Sequence, residues 1–181
     1  MLELQPEVPL GTQTADPVAA AFLDYSADRL RTLKKTIGAC CDKLTGEQML
    51  SRTGDYDNSV ANLLLHLAGN MRQWIMHGIA GHPDVRTRDE EFSTAPTETP
   101  AEARRIFDAT IEEAASVIAS VPPGRLLEII DPQPTGTARH VSILAAIYKV
   151  VGHVDHHAGQ IITATKRLTA SDLNLSMPRA R

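Results

Sequence analysis

Cysteine and aromatic residues are scarce in this chain of 181 residues: two Cys, one Trp, three Phe and three Tyr. The cysteines, Cys40 and Cys41, are adjacent, which excludes a disulfide framework and a zinc knuckle and leaves two small residues near a helix end. With so few rings, packing falls to Ala, Leu and Ile, a mixture that favours helices. Long apolar runs are missing too. The longest, Val141 to Val151, is broken by Ser142 and Lys149 and is too short to span a membrane. The start of the chain lacks the basic segment and apolar core of a signal peptide, so the cytoplasm is the expected location. Positive charge is not in excess, with 18 basic against 22 acidic residues and a net charge of -4. No Lys/Arg cluster offsets that balance, which argues against a nucleic-acid partner. A Gly-rich phosphate loop, a GxSxG elbow, paired carboxylates at catalytic spacing and internal repeats are likewise absent.

What is there is helical periodicity in a length that suits one domain with its own core. Residues 1–15, with two prolines, read as a tail or a strap over the body. Asp16-Pro17 is an N-cap followed by proline at the first helical position, and a first helix runs from it to about Cys41. A single turn is expected at Gly46-Glu47-Gln48-Met49. The second helix opens with Asp57 or Asn58 as cap and ends near Gly78 or Ala80. A third starts at Thr99-Pro100 and stops before Pro122-Pro123-Gly124. A fourth begins about residues 137–140 and ends near Lys166 or Thr169, before a tail over 171–181. Leu127 to Ile130 is expected to pair as a short strand. Four amphipathic helices with long connections predict an all-α four-helix bundle over residues 16–170.

Two features carry chemistry. On the second helix Asn62, His66, Asn70, Gln73 and His77 form one stripe of amides and imidazoles. An ordinary solvent face would hold Lys, Glu and Arg instead, so the stripe predicts an internal polar pocket. On the last helix His153 and His157 are one turn apart, a spacing that lets two rings grip one ion. His156, three residues from His153, can pair with it too. Its place on the wetter stripe with Ser142, Lys149 and Thr163 assigns it to the rim. The alternative for such a segment is a polar strip at a surface or subunit contact. A bundle core brings histidines from different helices together, and His66 with His153 and His157 would supply three neutral nitrogen ligands. That number leaves a position open for water or substrate. His77, His82 and His140 are not expected to ligate. The connection 81–100, with Arg86, Arg88, Asp89, Glu90, Glu91 and Phe92, reads as a cover anchored over the site.

Leu65-His66-Leu67-Ala68-Gly69-Asn70-Met71-Arg72-Gln73-Trp74-Ile75 resembles the second-helix motif of the DinB/YfiT-like superfamily. Val151-Gly152-His153-Val154-Asp155-His156-His157-Ala158-Gly159-Gln160-Ile161 is similar to its last-helix HxxxHxGQ motif, and Arg88-Asp89-Glu90-Glu91-Phe92 to a loop of one branch. The resemblance covers roughly Phe22 to Leu168. It implies a DinB-like four-helix bundle, often a homodimer, with a divalent metal, zinc or nickel, on three histidines. By position those are His66, His153 and His157. The last-helix motif usually has Glu where this chain has Gly152, so that carboxylate is missing.

Relatives in the superfamily include transferases and isomerases that use a low-molecular-weight thiol. The expected function is therefore a metal-dependent transferase (thiol S-transferase type) or hydrolase acting on a small-molecule substrate. Asn70, Gln73 and Gln160 are candidates to orient the substrate, and Arg88 to neutralise a carboxylate on it. The alternative is a non-catalytic metal- or ligand-binding bundle related to stress, and a purely structural bundle would leave the three histidines unexplained.

Overall fold

The computed structural model describes residues 16–54, 56–133 and 140–175. The expected strap over 1–15 and residues 176–181 of the tail lie outside these. Four long helices make the body: α1 (Pro17–Cys41), α3 (Val60–Met71, continued by a π-helical turn Arg72–His77), α4 (Pro100–Ser120) and α5 (Ile143–Thr169). A short α2 (Gly46–Leu50) forms the turn expected there. Each start is fixed by a side chain that takes an orphan backbone N–H, a contact typically worth about 1 kcal/mol. Asp16 accepts from Val18 ahead of Pro17. Thr45 with Gln48, and Thr99 with Glu102, form reciprocal capping boxes.

Two starts differ from expectation. The cap of α3 is Ser59, whose hydroxyl accepts from the Asn62 amide, because Asp57 is occupied by Thr53 and by the amide of Asn58. The last helix begins at Ile143, capped by Ser142. Residues just before it are extended: β2 (Val141–Ser142) pairs antiparallel with β1 (Ile129–Ile130), the short strand expected in that connection.

α1 packs on α4 and α5, and α3 packs on the same two helices, so α1 faces α3 and α4 faces α5 across the diagonals. Leu30, Ile37, Leu64, Leu67, Trp74, Phe107, Ile111, Ile118 and Ile147 fill the centre, each at most 2% exposed. Such residues recur at three and four along each helix, and that periodicity makes the helices amphipathic and the bundle their common solution. Cys40 and Cys41 are buried in the same core. Among the described residues no helix is long and apolar enough to cross a membrane.

Candidate metal centre

The polar stripe of α3 is buried at Asn62, His66, Asn70 and Gln73 and half-buried at His77, mainly against the chain's own return segment rather than around an open pocket. Residues 82–93 run back along α3, and the stripe holds them at successive turns. His77 Nδ1 donates to the His82 carbonyl at 2.6 Å. Gln73 binds Asp84 and Arg86, each at 3.0 Å. His66 meets Glu91, and Asn62 donates to the carbonyls of Glu91 and Ser93 at 2.9 and 3.0 Å. Arg52 secures the far end, donating to Asn62 and to the carbonyls of Phe92 and Ser93. The uncharged composition of the stripe therefore answers to buried backbone as much as to a ligand, because each buried polar group needs a partner. In the same stripe Asn70 is 7% exposed and its Oδ1 has no partner, alone in this among buried side-chain atoms of the described residues.

His66 on α3 meets His153 and His157 on α5. Nε2 of His66 lies 2.9 Å from Nε2 of His153, and one nitrogen from each of the three rings falls within 4.8 Å of the others. The rings stand edge to face, at 74°, 83° and 90° to one another, with centroids 4.5 to 5.1 Å apart. Zinc–nitrogen bonds of about 2.0–2.1 Å in a tetrahedron place ligand nitrogens roughly 3.4 Å apart. The three rings are close enough together to hold one such ion.

Hydrogen bonds also point the correct nitrogens inward. His66 Nδ1 donates to Glu91 Oε2 at 2.8 Å, and His157 Nδ1 donates to Gln160 Oε1 at 2.7 Å. Each bond places the proton on Nδ1 and leaves the Nε2 lone pair for the centre, the arrangement by which partners of a ligand set its tautomer and orientation. Burial, with the neighbouring His157, His66 and Arg86, pushes the His153 pKa down to about 4. Burial also lowers that of His157, against the hydrogen bond to Gln160. Both shifts favour the neutral imidazole that ligates metal.

Glu91 is buried against α3 with Arg86. The guanidinium makes two contacts with the carboxylate, Nε to Oε1 at 2.7 Å and a terminal nitrogen to Oε2 at 2.8 Å. Both side chains are under 10% exposed. Burial alone would raise the Glu91 pKa, but the Arg86 and His66 interactions outweigh it and hold the carboxyl below its usual range. Gly69 makes the approach possible. A Cβ there would collide with Glu91 Oε1 and lie 3.1 Å from Arg86 Nε. Phe92 follows, its ring 4.8 Å from that of His66.

The other expected residues are placed as follows. Gln160 is exposed but holds His157. Gln73 is committed to Asp84 and Arg86. Arg88 is exposed, with its guanidinium 5.0 Å over the Phe92 ring, and Arg86 takes the interior place instead. His156 is exposed, its ring 5.3 Å from His157. His82 and His140 are exposed as well. Gly152 carries no carboxylate and a Cβ there would meet nothing within 4 Å; the carboxylate beside His66 is that of Glu91, on another element. The sequence pattern places Arg86 and Glu91 in the cover segment without individual roles and assigns nothing to Arg52. The available signal was Gly69, since a glycine inside an apolar helix marks a close approach.

A search of curated proteins found no match to the chain. Residues 17–181 match the family model described as "Protein of unknown function (DUF1572)", and with most of its length inside that match the chain belongs to this family.

Proposed function

We propose that the chain is a metalloenzyme that uses its three-histidine centre to activate a low-molecular-weight thiol or a water. The reaction would be S-transfer to a small electrophile or hydrolysis of a small substrate. The observation that carries this reading is the convergence of His66, His153 and His157 with Nδ1 of two rings already held by Glu91 and Gln160. A divalent ion on three neutral ligands supplies a Lewis-acidic open position that lowers the pKa of a bound thiol or water. Zinc or nickel suits imidazole ligands, and both accept a thiolate.

The chain's own residues then have distinct tasks. Glu91 and Gln160 fix the rings, and Phe92 closes one side of His66. Asn70, one turn from His66, offers an unused carbonyl oxygen to a proton on the substrate. Arg88, whose guanidinium lies 5.0 Å over the Phe92 ring, would meet an anionic group that enters along the return segment. The likeness of both histidine motifs to the DinB/YfiT-like superfamily supports the same reading.

The test has two stages. Purified protein should retain about one divalent ion per chain, His66→Ala, His153→Ala and His157→Ala should each lose it, and His156→Ala should keep it. The metal-loaded protein should then consume bacillithiol, mycothiol or glutathione in the presence of model electrophiles faster than the metal-free control. Metal retention without thiol consumption or ester and amide hydrolysis would replace catalysis with metal or ligand binding.

A further inference from the structure

Beside the triad, the seam between α3 and α5 opens into a groove of about 480 Å³. Its floor is apolar, with Val60 and Leu63 from α3 and Ala164 from α5, and Thr53 and Thr163 give it polar walls. Gln160, the partner of His157, is part of the lining, which brings the groove next to the triad. A Cβ at neighbouring Gly159 would meet nothing within 4 Å, which leaves the bed open at this point.

Arg167 lines the same groove two turns further along α5. At 1.5 Å per residue its Cα stands about 10 Å beyond that of Gln160 and about 15 Å beyond that of His157. Helical side chains lean toward the N-terminus, which lets the guanidinium reach back toward the triad. Among the described residues Arg167 has no ion pair or hydrogen bond, whereas Arg29, Arg31, Arg86 and Arg104 all have acidic partners. Asp57, the acidic group on the groove wall, is taken by Thr53 and Asn58, and the Thr53 bonds hold its carboxyl below the usual range.

The geometry points to this groove as the binding site for the tail of the enzyme's ligand, an extended chain that ends in a carboxylate held by Arg167. This inference rests on the reading of the triad as a metal site. An apolar floor accepts methylene groups, hydroxyl walls accept polar atoms of the chain, and the single cation at the end matches a single negative charge. A phosphate, with two charges, would meet no second basic residue in the lining.

Two metal-binding probes test it independently of the reaction: suberic monohydroxamic acid, which ends in a carboxylate, and octanohydroxamic acid, which ends in a methyl group. Both have eight carbons, and their binding to cobalt-loaded protein is followed by the visible spectrum of the ion. The wild type should bind the carboxylate probe roughly tenfold more tightly, the scale of one charge-assisted contact. Arg167→Ala should erase the preference and Arg167→Lys should keep much of it, with affinity for the methyl-ended probe unchanged in both. A wild type without the preference, or an Arg167→Ala variant that retains it, overturns the assignment. Cobalt stoichiometry, measured before any probe is added, separates the two failures: protein that takes up no cobalt removes the metal reading and this inference with it.

Discussion

Glu91 Oε2 and His66 Nδ1 stand 2.8 Å apart across 25 residues of sequence, and both side chains are buried. A connection between helices thereby reaches the triad: the segment that runs back along α3 also holds one of its rings.

Glu91→Gln should lower zinc affinity about 10- to 100-fold, the usual scale for removal of a partner from a metal-bound histidine. Competition with a chelator of known affinity measures this, while a melt of the metal-free protein reports stability separately. Unchanged zinc affinity would show that the carboxylate serves only to anchor the segment.

Gly69→Ala has opposing effects. In a free helix the change gains about 1 kcal/mol. Here the methyl group collides with Glu91 Oε1 and crowds Arg86, and overpacking of a close contact costs roughly 1–3 kcal/mol. The net result should be a lower melting temperature and faster proteolysis within residues 84–93. A variant that melts higher than the wild type would mean that the segment shifts freely.

The cysteines should be inert in the folded protein. Burial pushes the Cys41 thiol up to about 11 and raises that of Cys40 as well, so few thiolates exist at pH 8 and reagent has no path to them. Two thiols per chain should react with a disulfide reagent only after denaturant is added. Rapid labelling of native protein would contradict this.

α5 ends on Ala170 in the left-handed region, at φ 48° and ψ 31°. Glycine takes that conformation without steric cost and is the common residue just past a helix end. Ala170→Gly should therefore stabilise by about 0.5–1 kcal/mol, a rise of roughly 1–4 °C in melting temperature. No change by calorimetry would show that the strain is relieved elsewhere.

Much of this architecture is legible in the sequence because it depends on local rules. Apolar spacing marks four long helices, and Asp16-Pro17 and Thr99-Pro100 mark two starts. The i, i+4 spacing of His153 and His157 places both rings on one side of α5. The missing parts depend on tertiary competition. Asp57 loses the cap of α3 to Ser59 because Thr53 captures its carboxylate. The choice of Arg86 over Arg88 follows from turns in the return segment, which no periodicity reveals. The π-helical turn at Arg72–His77 likewise has no local sequence mark.

The manner in which α3 holds the return segment bears on how such sequences diverge. Asn62, Arg52 and His77 bind carbonyl oxygens of the main chain, which every amino acid carries. Among the described residues, Asp84, Arg86, Glu91 and Phe92 give α3 side-chain contacts that depend on their identity. The segment is thus free to drift at Val85, Thr87 and Asp89 while the helix that reads it stays fixed. Distant relatives are better recognised by the amides and imidazoles of α3 than by the residues those groups hold.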